Sequence, residues 1–131
     1  MINCKNQLRF YVNQTKGNRV EIIQEKQGNV NVIKVKGRLD ASTAAKLEET
    51  LELFVNEDRT RILVDCETLD YISSAGLRVL LASAKELKKT NGKIYLSSLN
   101  PNVKQVFEIS GFTTIFPIYE SIKDALADLS V

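Results

Sequence analysis

A chain of 131 residues is long enough for one domain with a single core, and 44% hydrophobic with 26% charged residues is ordinary for a globular protein. No apolar run approaches the roughly 20 residues that cross a bilayer, and no charged, apolar and small-residue succession marks a cleavable signal, so a cytoplasmic protein is expected. The net charge of +2 is uneven: Lys5, Arg9, Lys16 and Arg19 fall in an acid-free start, which leaves 14 of the 18 bases against all 16 acids. That mildly acidic body argues against nucleic acid as the main partner.

Residues 1–18 are rich in Asn and Gln and read as a loosely ordered extension, with one short strand around Leu8 to Val12 and a docking arm as the weaker alternative. A domain then spans 19–131. Two β-rich runs, Arg19 to Lys26 and Asn29 to Lys36, flank Gln27-Gly28, where glycine supplies the positive φ of a tight hairpin, so they should pair antiparallel. Gly37-Arg38-Leu39-Asp40 ends the second run. Ala41 to Asn56 follows as a helix capped by Asp40 or Ser42, with Ala44, Leu47, Leu51 and Phe54 on one face and Glu48, Glu49 and Glu52 on the other.

Arg61 to Cys66 is a buried strand, since aliphatic and β-branched residues run together over strand length. The helix after Ser74 carries Leu77, Leu80, Leu81, Ala84 and Leu87 at helical spacing and stops at Asn91-Gly92, with glycine as the left-handed cap. Lys93 to Ser97 is a strand. Asn100-Pro101 opens a helix whose Val103, Val106, Phe107 and Ile109 should face inward and which Gly111 ends. Thr113 to Ile118 is expected as a final strand and Ser121 to Leu129 as a final helix, with Ser121 and Asp124 at capping-box spacing.

Alternating strands and helices imply an α/β fold. Its sheet should be mostly parallel, of four to five strands, with an initial antiparallel hairpin and about four helices. In an open α/β sheet functional groups gather at the carboxyl ends of strands. Asp40 and Ser74 both follow strands, so both belong on that rim.

Serine at a strand-to-helix turn suggests a nucleophile, but Ile72-Ser73-Ser74-Ala75-Gly76 lacks the leading glycine of the elbow Gly-x-Ser-x-Gly. More decisively, the chain contains no histidine, so a Ser-His-Asp relay cannot be assembled. Neither a Walker loop nor a dinucleotide-binding glycine pattern is present, and no histidine or clustered acids offer a metal site. No cofactor, no metal and no enzymatic activity are expected. Cys4 and Cys66 form no disulfide framework; Cys66 reads as a partly buried apolar residue, with a reactive thiol the lesser reading. What remains is serine as a phosphate acceptor. Phosphorylation adds roughly −1.5 to −2 charges, which the helix N-terminus and Arg78, one turn on, would tolerate, while a partner docked over the same spot would be repelled.

The run Leu69-Asp70-Tyr71-Ile72-Ser73-Ser74-Ala75-Gly76-Leu77 resembles the signature of the STAS-domain anti-sigma factor antagonists. Gly37-Arg38-Leu39-Asp40 resembles the family's Gly-x-Leu-Asp turn. Asn100-Pro101-Asn102-Val103 through Phe107 to Ser110-Gly111-Phe112 resembles its Pro-x-Val…Phe-x-x-Ser-Gly segment. By position the resemblance implies Ser74 as phosphoacceptor and Asp40 as a rim acid that contacts the partner. Ala75, Gly76 and Leu77 fall where the helix start stays small and close to that partner, beside Ser73 and Arg78. Ser73 stands where many members carry Asp, a departure that makes it a competing acceptor or alters kinase recognition. The resemblance also implies partner switching. An unphosphorylated antagonist binds an anti-sigma factor of the GHKL ATPase-like serine kinase type and releases a sigma factor, and a PP2C-type phosphatase reverses the modification. The alternative keeps the fold and changes the role, to a stand-alone STAS subunit of a transporter, lipid-transport or stressosome-like assembly.

Overall fold

The computed structural model describes residues 10–14, 20–57 and 60–129. The hairpin forms as expected: β2 (Val20–Gln27) and β3 (Val30–Leu39) pair antiparallel from Gln27↔Val30 to Val20↔Gly37. Gly28, first of the two turn residues, has φ 62°, a conformation that costs glycine nothing. Upstream, β1 (Phe10–Gln14) pairs antiparallel with β2; it is the short strand expected around Leu8 to Val12, set two residues later, and it forms an edge of the sheet. Leu8, Cys4 and the four N-terminal bases lie outside the described residues.

The remaining elements are α1 (Ala44–Asn56), β4 (Arg61–Asp65), β5 (Leu69–Ile72), α2 (Ser74–Lys88), β6 (Lys93–Ser97), α3 (Pro101–Ile109), a 3-10 turn (Phe112–Thr114), β7 (Ile118–Tyr119) and α4 (Ile122–Leu129). The sheet has seven strands in the order β1-β2-β3-β4-β6-β7, with β5 paired to β3 alone. It is larger than the four to five strands expected because β1 and β5 both join it. Every pairing beyond the β1-β2-β3 meander is parallel.

β3 serves two neighbours in series. Its first half pairs with β4, from Asn31↔Ile62 to Lys34↔Asp65, and its last residues pair with β5, from Gly37↔Leu69 to Leu39↔Ile72. Between them the chain steps out through Cys66–Thr68 and returns with Gly37 N–H bonded to Thr68 O at 2.9 Å. Gly37, at φ 103°, therefore bends β3 instead of ending it. β5 continues the line of β4 and carries the following residues further along β3.

The helices divide between the faces. Leu47, Leu51 and Phe54 of α1, Leu77, Leu80 and Leu87 of α2, and Val103 and Phe107 of α3 bury one face over Ile33, Val35, Ile62, Val64 and Leu96. Ala125 and Leu129 of α4 cover Val30, Val32 and Leu63 on the other. Each fully buried large side chain contributes about 1.5–3 kcal/mol, so the first face dominates stability.

Three further expectations are corrected. Ile109 is 79% exposed, because it follows Phe107 by two residues, about 200° around the helix from it. The segment from Thr113 is not a strand. Phe112 and Phe116 pack edge-on against Phe107, with centroids 6.3 and 6.2 Å away, and that clustering curls the chain into the 3-10 turn and leaves only Ile118–Tyr119 to pair with β6. At the end of α2 the left-handed residue is Asn91 (φ 59°), not Gly92. Gly92 is needed for space: a Cβ there would meet Leu87 Cδ2 at 2.7 Å and Thr60 O at 3.0 Å.

Candidate partner-binding rim

Asp40 follows β3 and Ser73-Ser74 follow β5, and these strands are hydrogen-bonded neighbours at their ends. The ladder extends one bond past β5, Ser73 N–H donating to Leu39 O at 2.9 Å. The two predicted site segments are thus brought together by main-chain pairing, on the carboxyl rim where an α/β sheet presents its groups.

Ser73 is the N-cap of α2, in extended conformation (ψ 176°), and its Oγ accepts from Gly76 N–H at 3.4 Å. That distance is beyond the common range for such a bond, so the cap is weak. Ser74 is the first helical residue and is exposed; its side chain makes no hydrogen bond to a described residue. Ala75 is half-buried. Gly76 and Leu77 are buried, so they form the floor beneath Ser74 and do not face outward. A Cβ on Gly76 would lie 2.9 Å from Ile72 Cγ1 and 3.0 Å from Leu39 Cγ. The glycine is what lets α2 start directly on the two strands. Arg78, one turn on, is exposed, pairs with no described acid, and no acid stands in the first turn of α2.

Asp40 does not cap α1. Its Oδ1 accepts from Ser42 N–H (3.0 Å), Ser42 Oγ (2.8 Å) and Thr43 N–H (3.2 Å), closing a turn that delays the helix to Ala44. The N-cap is Thr43, whose side chain is turned back: its hydroxyl donates to Arg38 O at 2.7 Å and accepts from Asp40 N–H at 2.9 Å. The Ser42 hydroxyl, with the turn amides, holds the Asp40 carboxyl below its ordinary value, so it is ionised at neutral pH. Among the described residues its second oxygen, Oδ2, has only Arg38 Nε at 3.9 Å, which leaves it open to a donor from outside.

Sequence reasoning missed Arg38 and Tyr71, and the bond from Asn100 to β5. Arg38 and Tyr71 are register partners across β3 and β5, and the guanidinium sits 4.2 Å from the ring centroid. Both are exposed beside Asp40. Asn100 bridges two elements: Oδ1 caps α3 through Val103 N–H (2.8 Å), while Nδ2 donates to Leu69 O (2.9 Å) on the side of β5 that has no strand. The signal for the pair lay in recognising β5, whose outward residues Asp70 and Tyr71 interrupt the alternation.

Chemically the rim offers an accessible hydroxyl, an ionised acid and two arginines. Cys66 is fully buried in the core, and burial pushes its thiol well up, as expected of a packing residue. Among the described residues no group of His, Cys, Asp and Glu is arranged to hold a metal, and no helix is long and apolar enough to cross a membrane.

Residues 21–125 match the STAS domain family. A Bordetella bronchiseptica protein named as an anti-sigma factor antagonist, BtrV, is 39% identical over 108 residues, 82% of this chain and 93% of that one. The chain belongs to the STAS-domain anti-sigma factor antagonist family. The anti-sigma-B factor antagonist of Listeria monocytogenes is 28% identical over 76% of this chain and 86% of its own. In three dimensions, an anti-sigma factor antagonist from Mycobacterium paratuberculosis superposes with a TM-score of 0.81 at 24% identity, covering 90% of this chain and all of that one. The Bacillus antagonist SpoIIAA in its phosphorylated form superposes at 0.66 with 21% identity, over 82% and 97% of the two chains. At those identities the structural likeness establishes the fold alone, which is the STAS fold expected from the sequence.

Proposed function

We propose that this protein is an anti-sigma factor antagonist that works by partner switching in the cytoplasm, its binding module spanning 19–131 with 1–18 as an extension. Unphosphorylated, it binds an anti-sigma factor of the GHKL ATPase-like serine kinase type through the rim of Asp40, Ser73, Ser74, Ala75 and Arg78, and a sigma factor is released. The kinase transfers the γ-phosphoryl of its own ATP to Ser74 Oγ, and a PP2C-type phosphatase removes it. The chain itself catalyses nothing and carries no cofactor.

The observation that supports this reading is the position of Ser74: an exposed hydroxyl at the first residue of a helix, set beside an ionised Asp40 whose Oδ2 is open. Asp40 and Ser74 follow strand ends that are joined by the Ser73 N–H to Leu39 O bond, so one partner surface can cover both. A phosphate there brings roughly −1.5 to −2 charges, which the N-terminus of α2 and Arg78 accommodate within the fold. Against a docked partner the same charge is desolvated, and such juxtaposition costs several kcal/mol, about a hundredfold or more in affinity. The protein stays folded and loses its partner.

The test uses each purified GHKL-type kinase encoded in the same genome. Ser74→Ala should bind one of them and take no phosphate, and Ser74→Asp should bind it at least a hundredfold more weakly. Phosphosite mapping should place the modification on Ser74; modification on Ser73 alone, or equal binding of wild type and Ser74→Asp, overturns the proposal.

A further inference from the structure

A groove runs from the Ser74 rim along the seam between α1 and α2. It consists of two hollows of ≈ 590 and ≈ 380 Å³ that share Glu48, Val79 and Ala82. Its rim half is floored by Ala41, Ala44, Ala45 and Ala75, side chains too short to fill the space between two helix backbones. From Ala75 to Glu86 the helical rise gives about 16 Å, which is three turns.

The two ends of the groove differ in charge. Both helices begin at the rim, so their N-terminal partial positive charges lie at that end, with Arg78, while Lys85 stands in the last turn of α2 beside the other half. The other half is lined by Glu48, Glu52 and Glu86, and α1 ends there with no base in its last turn. Glu86 is paired with Lys89 at 3.2 Å; Glu48 and Glu52 pair with no described base.

We propose that this groove receives one α-helix of the anti-sigma partner, laid antiparallel to α1 and α2, with basic residues facing Glu48 and Glu52 and its C-terminal end toward Ser74. Antiparallel placement sets the partner helix's negative end against the two positive N-termini, and its bases against the acidic half. The small floor admits close approach of a helix backbone. The proposal rests on the partner-switching reading and deepens it: phosphate on Ser74 repels the negative end of the docked helix, so one modified residue acts on a contact three turns long.

The probe is the purified kinase that phosphorylates Ser74, titrated by calorimetry with full-length protein. Glu48→Lys/Glu52→Lys should weaken binding at least tenfold, the milder Glu48→Gln/Glu52→Gln should weaken it less, and 0.5 M salt should shrink both differences. Glu108→Lys/Glu120→Lys, the same charge change at exposed positions elsewhere, should leave affinity within twofold. Thermal melts confirm that each variant is folded. If Ser74→Asp abolishes binding while the Glu48/Glu52 variants match the control, the groove assignment fails and the switch stands. If Ser74→Asp also binds normally, the switch fails first. If the free chain sediments as a dimer that Glu48→Lys/Glu52→Lys dissociates, a second copy covers the groove and the assignment is overturned.

Discussion

Replacing Gly76 with alanine sets two effects of opposite sign against each other. Gly76 is the third residue of α2, and its backbone is not in the left-handed region, so conformation does not require glycine. Helix propensity alone therefore predicts that alanine stabilises, by about 0.8–1 kcal/mol. The space around it predicts the reverse. The new Cβ would meet Ile72 Cγ1 at 2.9 Å, Leu39 Cγ at 3.0 Å and Leu39 Cδ2 at 3.1 Å. Leu39 is 1% exposed and Ile72 3%, so neither can yield without repacking the core. Overpacking of this kind costs about 1–3 kcal/mol, which outweighs the propensity gain and leaves a net loss of about 1 kcal/mol. In a chain of this length the melting temperature should fall by about 3–5 °C. Urea denaturation followed by far-UV circular dichroism gives the free energy directly. Because the clash is with Leu39, a cycle with Leu39→Ala should show coupling, Gly76→Ala costing less when Leu39 is already truncated. A Gly76→Ala protein more stable than wild type, or an uncoupled cycle, refutes the packing account of why α2 begins where it does.

Burial holds the Asp65 carboxyl above its ordinary value of 3.8, against the pull of the Glu67 amide and Lys34. The fold therefore disfavours the ionised form, and stability is lost as pH rises from 3.8 through the raised value. Asp65→Asn, which keeps an oxygen for Glu67 N–H, should be more stable than wild type at pH 7, and chemical denaturation across pH 3 to 7 should show the difference vanishing at the acid end. Asn100→Ser keeps a cap for α3 but is too short to reach Leu69 O, and should cost about 1 kcal/mol, while Asn100→Ala loses both bonds and should cost about 2 kcal/mol by the same denaturation assay. Cys66 should resist a thiol reagent in the folded protein and react only in denaturant; rapid labelling of Cys66 under native conditions would contradict its burial.

The helices were legible because each shows its buried face as an apolar stripe, as Leu47, Leu51 and Phe54 do in α1. Asn100 was legible as a cap because Asn-Pro states both the cap and the first turn. Strands in mid-sheet, such as Ile62 to Val64, announce themselves as unbroken aliphatic runs. β5 did not, for a definite reason. The register skips Asp70 at a bulge between Gly37 and Arg38, so four residues read buried, exposed, exposed, buried, and no period of two survives. With β5 unread, the facing of Arg38 and Tyr71 could not be inferred, nor the bond from Asn100 to Leu69. Asp40 was placed on the right rim with the wrong local role. Asp and Ser both cap helices, and only the three-dimensional turn decides that Oδ1 closes the loop while Thr43 stands at the cap.

Among the described residues β5 is hydrogen-bonded to one strand, β3, while on its other edge Asn100 Nδ2 donates to Leu69 O. Its four residues are thus held by fewer backbone bonds than the strands from which they project, while Leu69 and Ile72 anchor them in the core. Amide hydrogens there should exchange through local opening at a free energy well below that of global unfolding. On the partner-switching proposal, a kinase that draws Ser74 into its own active site works against those few backbone bonds and against the burial of Leu69 and Ile72 in the core. Opening at the rim then joins surface accessibility in setting how fast the hydroxyl is delivered.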